Sequence, residues 1–236
     1  MASAAHACAR HAHGVVCHAR VVPLRACSTL RGSEAITERV RAMAERLEAD
    51  DESLKELRFG GRGVDDEGAK LVAKGLKANT TLVELRLGGG QISDWGAKAL
   101  AEAIKANGSV KMLDISSNLI GAKGAAYLAA GLMANESITD FNVGGNQIGD
   151  HGACCFAEVL KANTSLESLN LGGCGIGLKG AEALAGGLEA NESIRKLVLR
   201  GNRFSDKAHV ILKRKVLDGK PVAKLDKKSV PKNLAN

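Results

Sequence analysis

An apolar pattern recurs every 28 residues, and no other feature constrains the fold of this chain as tightly. The units start at Leu54, Leu82, Val110, Ile138 and Leu166, with a truncated sixth at Ile194. A period of this size means stacked units, each burying its apolar face only against its neighbours. Every unit opens on LxxLxL spacing: Leu54/Leu57/Phe59, Leu82/Leu85/Leu87, Val110/Leu113/Ile115, Ile138/Phe141/Val143, Leu166/Leu169/Leu171 and Ile194/Leu197/Leu199. Alternation around the fourth and sixth positions predicts a short strand with one buried face. A Gly- and Asn-rich turn follows, closed by Val64, Ile92, Ile120, Ile148, Ile176 and Phe204. Aromatics make up only 3% of the chain, so the core has to be built from Leu, Ile, Val and Ala.

A helix completes each unit, its far end buried by Leu76, Ile104, Leu132, Leu160 and Leu188. Asp66, Asp94, Asp150 and Asp206 stand at helix starts, where a carboxylate caps free amides and opposes the dipole. Gly68, Gly96, Gly124, Gly152 and Gly180, each followed by Ala, let the helix lie close to the strand layer. Parallel strands stack about 4.8 Å apart and packed helices about 8–10 Å apart. The expected fold is therefore an α/β solenoid curved into an arc, with parallel strands on the concave face and helices on the convex face.

Upstream, residues 34–49 read as a helix with Ser33 as N-cap and Ile36, Val40, Met43 and Leu47 at helical spacing. This is the helical half of a degenerate zeroth repeat that covers the end of the core. The expected division is a leader at 1–32, a capping helix at 33–53, repeats at 54–217 and a basic tail at 218–236. Residues 1–31 hold four Arg and no acid. That composition fits a mitochondrial or plastid transit peptide, with an unstructured leader as the alternative. Residues 207–236 hold nine Lys/Arg against two Asp, while 32–206 hold 20 basic and 24 acidic residues. The body is mildly acidic between two basic ends, so the net +7 does not make the body a nucleic-acid binder. Lys207–Leu217 is basic and amphipathic, yet Leu212 and Val216 keep the register of Leu184 and Leu188, so it reads as the sixth repeat's helix.

The pattern LxxLxLxxNxIxxxGAxxLAxALxxN, clearest over Val110–Ser137 and Ile138–Ser165, resembles the ribonuclease-inhibitor type of leucine-rich repeat. The resemblance covers about residues 54–217. The turn Asn or Cys of that family is kept at Asn118, Asn146, Cys174 and Asn202 and replaced by Arg62 and Gly90, which implies looser first turns. The resemblance implies the curved fold and a surface for other macromolecules. It leaves the function open among ribonuclease inhibitors, Ran GTPase-activating proteins, NOD-like receptors and axonemal regulators, which share the repeat.

The period absorbs most motifs that suggest chemistry. Five N-x-[ST] sequons at Asn79, Asn107, Asn135, Asn163 and Asn191 are one repeat position, at helix ends where Asn tolerates a left-handed conformation. Gly88–Gly90 and Gly172–Gly175 lie at strand-to-turn junctions and lack the GxxxxGK[ST] of a phosphate loop. Cys8, Cys17, Cys27, Cys154, Cys155 and Cys174 form no CxxC pair, which fits a reducing compartment rather than a disulfide framework or zinc site. No metal, no cofactor and no catalytic arrangement is expected, and the chain is not read as an enzyme.

Outward strand residues are not fixed by the core and are the functional candidates. The concave-face set is Glu56, Arg58, Glu84, Arg86, Met112, Asp114, Asp140, Asn142, Ser168, Asn170, Lys196, Val198 and Arg200. Arg195, Lys196, Arg200 and Arg203 form a basic patch on the last strand, and Trp95 is a solvent-facing contact point. The reading is a monomeric scaffold that binds a protein, an acidic one if the patch takes part. Regulation of a small GTPase, and binding of RNA or an anionic surface through the basic end, are the alternatives. Placement is intracellular and cytoplasmic, or organellar if the leader directs import.

Overall fold

The computed structural model describes residues 32–59 and 63–204. The leader, Arg62, the segment expected to form the sixth repeat's helix (with Asp206, Leu212 and Val216) and the tail lie outside these residues. The elements run α1 (Gly32–Glu48), β1 (Glu56–Arg58), α2 (Asp66–Ala78), β2 (Glu84–Arg86), α3 (Asp94–Ala106), β3 (Met112–Asp114), α4 (Ala122–Met133), β4 (Asp140–Asn142), α5 (Gly149–Ala162), β5 (Ser168–Asn170), α6 (Leu178–Ala190) and β6 (Lys196–Val198). The strands form one parallel sheet in chain order. Each pairs with the next exactly one repeat on, as in Leu57↔Leu85, Leu113↔Phe141 and Leu169↔Leu197. The helices pack in the same order, each against its neighbour.

The result is the curved solenoid, with strands inside and helices outside. The middle residue of every strand points into the core and its two neighbours point out. Leu82, Val110, Ile138 and Leu166 enter the core just before each strand, and Leu76, Ile104, Leu132 and Leu160 meet them from the helices. Phe141 and Phe156 supply the aromatic contact, with ring centroids 5.9 Å apart. At the N-terminal end α1 begins at Gly32, so Ser33 lies inside the helix rather than ahead of it. Val40, Ala44 and Leu47 of α1 are buried, and Arg39 lies over the Phe59 ring at 5.7 Å. The loop to β1 is held by Asp51, which accepts from the Ser53 hydroxyl and from Arg46; these bonds bring its carboxyl down to about 2.

Hydrogen bonds between repeats do as much as apolar packing to fix the register. The sequon asparagines are not left-handed: Asn79, Asn107, Asn163 and Asn191 are extended, with φ between −78 and −90°. They are buried because each amide spans two units. Asn135 donates to Ile104 O and Asn107 O of the preceding repeat, both at 2.8 Å. Its Oδ1 accepts from the backbone of Ser137 at 2.9 Å and Ile138 at 2.8 Å. Asn107, Asn163 and Asn191 repeat the arrangement. Both amide protons are thus engaged, and attaching a glycan to any of these nitrogens would require opening the array.

A second ladder runs through the turns. Asn146 donates to Ile115 O and Val143 O and accepts from Ile120 N; Asn118 does the same one repeat earlier and Asn202 two repeats later. At Gly90 the ladder is missing for a steric reason. A Cβ there would sit 2.4 Å from Val64 O and 2.9 Å from Asn118 Oδ1.

The third ladder corrects an expectation. Asp66, Asp94 and Asp150 do not cap the helices they begin; each caps the next one. Asp94 Oδ1 accepts from Gly121 N and Gly124 N of α4, both at 2.8 Å. Asp66 serves α3 through Ser93 N and Gly96 N, and Asp150 serves α6 through Gly177 N and Gly180 N. This explains the recurrent glycine: a Cβ at Gly96, Gly124 or Gly180 would lie 2.5–2.7 Å from the incoming carboxylate oxygen. Among the described helices only α2 carries a carboxylate cap of its own, from Asp65 to Gly68 N. At position 122 the residue is Ala, and α5 has no side-chain cap.

Two outcomes follow for stability. Asn135→Ala strands two buried carbonyls and two amides and costs about 3 kcal/mol. Asp94→Ala removes a cap and costs about 1–2 kcal/mol. Urea unfolding of each variant checks both, and an Asn135→Ala chain as stable as the parent would remove the ladder from the account.

Candidate functional site

Six strands in register set the outward residues in two parallel rows. One reads Glu56, Glu84, Met112, Asp140, Ser168, Lys196, and the other Arg58, Arg86, Asp114, Asn142, Asn170, Val198. Between β2 and β6 the face forms a shallow groove of about 160 Å³ that is open to solvent. Arg86, Met112, Asp114, Asp140, Asn142, Ser168, Asn170, Lys196 and Val198 line it. Of the remaining sequence candidates, Glu56, Arg58 and Glu84 lie toward the β1 edge and Arg200 lies beyond the C-terminal end of β6.

The chemistry changes along the rows. At the β1–β2 end the charges cancel. Arg58 reaches Glu56 at 2.8 Å and Glu84 at 3.3 Å, and Arg86 reaches the same Glu84 oxygen at 3.2 Å. Glu56 and Arg58 are exposed and Glu84 and Arg86 half-buried, so at this solvent-facing edge each pair contributes little to stability. They do occupy the guanidinium groups. Arg86 Nε is buried with no hydrogen-bond partner among the described residues.

In the middle the side chains bind their own backbone. Asp114 Oδ1 accepts from Ser116 N at 2.9 Å, Asn142 Oδ1 from Gly144 N at 3.1 Å and Asn170 Oδ1 from Gly172 N at 2.9 Å. A backbone amide only donates, so the oxygen of each Asn faces the chain and the NH2 faces away from it. Gly144 and Gly172 keep this turn tight: a Cβ on either would lie 3.1 Å from the carbonyl of the next repeat.

At the far end Arg195, Lys196, Arg200 and Arg203 are exposed. The patch is less uniform than the sequence suggests, because Arg195 faces Glu167 at 3.7 Å across to the previous strand. Among the described residues no salt bridge forms to Lys196, Arg200 or Arg203. Trp95 is 70% exposed, as its place in the first turn of α3 implies. Sequence reasoning passed over Leu119, which is 60% exposed and whose N–H bonds Ile92 O, three residues before that Trp. The signal was available: Leu119 is an apolar residue in a turn row otherwise occupied by Gln91, Gln147, Gly175 and Arg203.

Among the described residues no group of three His, Cys, Asp or Glu could hold a metal ion, and no helix is long and apolar enough to cross a membrane. The cysteines divide by environment. Cys154 is exposed and Cys155 half-buried on α5, where burial and the neighbouring Cys154 push the Cys155 thiol up. Cys174 fills the turn Asn position, fully buried, and its Sγ contacts Val143 O at 3.5 Å. Burial pushes this thiol up to about 11.

Tandem strand–turn–helix units with one Leu-rich core and Asn-paired turns define a repeat solenoid. The leucine-rich repeat family model matches residues 78–101, 106–129, 134–157 and 162–185, in the frame of the repeat itself. The chain therefore carries leucine-rich repeats in four tandem copies. No curated protein matches it. Among solved structures it is similar to the tropomodulin C-terminal domain of Caenorhabditis elegans, at 20% identity and a TM-score of 0.51, covering 75% of this chain and 90% of that one. It is also similar to a structure titled leiomodin-1 actin-binding site 2, at 21% identity and a TM-score of 0.47, covering 73% of this chain and 87% of that one. At such identities the likeness is one of fold.

The cysteine environments give a measurable outcome. Unfolded, Cys174 ionises near its ordinary value of about 9; folded, it holds its proton to about 11. The folded pKa is the higher one, so this contribution is full below pH 9 and is lost as the pH rises toward 11. Compared with Cys174→Ala, the parent loses an additional 2–3 kcal/mol or so across that interval in urea titrations. In native alkylation followed by peptide mapping, Cys154 reacts and Cys174 reacts only after denaturation.

Proposed function

We propose that this protein is a non-enzymatic interaction module that seats a protein partner in the groove of the concave strand face. The observation that carries the reading is the groove itself: outward side chains of five adjacent strands line it, and their chemistry is independent of the core. A rigid curved sheet binds by complementarity over a wide area, without depending on one residue. The leucine-rich-repeat family supports a binding role. The fold it shares with the tropomodulin domain is consistent with that role but names no partner. Regulation of a small GTPase remains a second reading, which no residue of the face singles out, since the Arg side chains at the β1–β2 end are engaged by Glu56 and Glu84.

The test is affinity capture from the native source with quantitative mass spectrometry. Met112→Arg with Ser168→Arg fills the groove from two strands without touching the core. This variant is expected to lose the partner that the parent captures, whereas Lys105→Glu with Lys161→Glu on the helical side retains it. Equal capture by parent and groove variant would move the binding site off the strand face.

A further inference from the structure

The concave face is electrically polarised along the solenoid, and its order of charges specifies what kind of segment it takes. From β3 to β6 the groups without an ion pair among the described residues run acid, amide, cation, Asp140 accepting only from the Thr139 hydroxyl at 3.1 Å. Asp140 and the second oxygen of Asp114 are free of cations: neither carboxylate forms a salt bridge among the described residues. The Nδ2 groups of Asn142 and Asn170 come next, turned outward because their oxygens accept from Gly144 N and Gly172 N. Lys196 and, two residues past Val198, Arg200 close the series, both exposed and without a salt bridge among the described residues.

We infer that the groove takes a polypeptide segment that carries a Lys or Arg over Asp114 and Asp140 and an Asp or Glu over Lys196 and Arg200. The inference rests on the binding role proposed above for this face and adds the partner's chemistry. Strands are about 4.8 Å apart, so two to three spacings separate the two charge centres by roughly 10–14 Å. An extended segment spans this with residues three or four apart, at about 3.3 Å each, and a helix in about two turns. The outward amides of Asn142 and Asn170 lie between and donate to carbonyl groups of the same segment. A phosphate backbone fits poorly, because it would place like charge against both aspartates. A polypeptide carries both signs at this spacing.

Asp114→Asn is a clean probe, since Asn142 and Asn170 show that an amide keeps the same backbone bond at this position. The experiment selects peptides from a random-peptide phage library on the full chain and titrates synthetic copies by fluorescence anisotropy. Selected peptides are expected to carry both a basic and an acidic residue. Their Kd rises about tenfold with Asp114→Asn plus Asp140→Asn, and by a similar factor with Lys196→Glu plus Arg200→Glu. A peptide whose basic residue is changed to Glu regains affinity for Asp140→Lys. Purely acidic peptides, insensitive to the aspartate variants, would overturn the inference, as would tighter binding of a poly-uridine oligonucleotide at Lys196 and Arg200. Peptides displaced by Met112→Arg with Ser168→Arg but indifferent to every charge change would overturn the polarity and leave the groove as the binding face. Peptides indifferent to the groove variant as well would overturn both.

Discussion

Every repeat in this protein leaves backbone groups that only the next repeat can satisfy. Asn135 gives both amide protons to carbonyls of the unit before it, and Asp94 gives an oxygen to two amides of the unit after it. A buried carbonyl or amide without a partner costs on the order of 1–3 kcal/mol, so a single unit cannot stand alone even if its leucines were shielded. Apolar stacking supplies the bulk of the driving force, and the ladders make it specific to one register. A slip of one residue would put Leu113 in the solvent row and would also misplace every amide.

Chain pattern and chain physics explain why the core was legible and the ladders were not. Leu57, Leu85 and Leu113 announce themselves because burial selects residue type directly, and a period-two alternation has one reading. Asp94 has two readings. An acid at a helix start is the familiar sign of a cap within the same helix, and nothing local says that its amides belong to residues 121 and 124. The coupling could be read only between units, where an Asp at one position accompanies a Gly 30 residues later at Gly96, Gly124 and Gly180. The sequon asparagines were rightly assigned to structure, but for the wrong conformation. A helix-ending Asn suggests a left-handed residue, whereas here an extended one reaches across to the previous unit.

The face was legible as a list of positions and illegible as chemistry. Strand alternation alone places Glu84, Asp114 and Asn170 outward. It does not say that Arg58 and Arg86 converge on one Glu84 oxygen, or that Arg195 leans toward Glu167. Those contacts depend on rotamers of long side chains on neighbouring strands, which composition does not fix. Once they are removed from the roll of available groups, a formally mixed surface becomes an ordered one.

Ala122 and Leu178 interrupt the run of acids at the helix starts, and Ala122 does so in the middle of the array. Ala122 offers no carboxylate to α5, so the joint between the third and fourth full repeats is tied by the asparagine ladders alone, through Asn163 and Asn146, where the joint before it has the Asp94 ladder as well. In a one-dimensional array, cooperativity is transmitted joint by joint, and the weakest coupling sets where the chain divides into separately melting blocks. The groove lies across the joint that lacks the carboxylate, with Asp114 on one side and Asn142 on the other. A partner seated there would act as a splint, lending the array the continuity that Ala122 withholds.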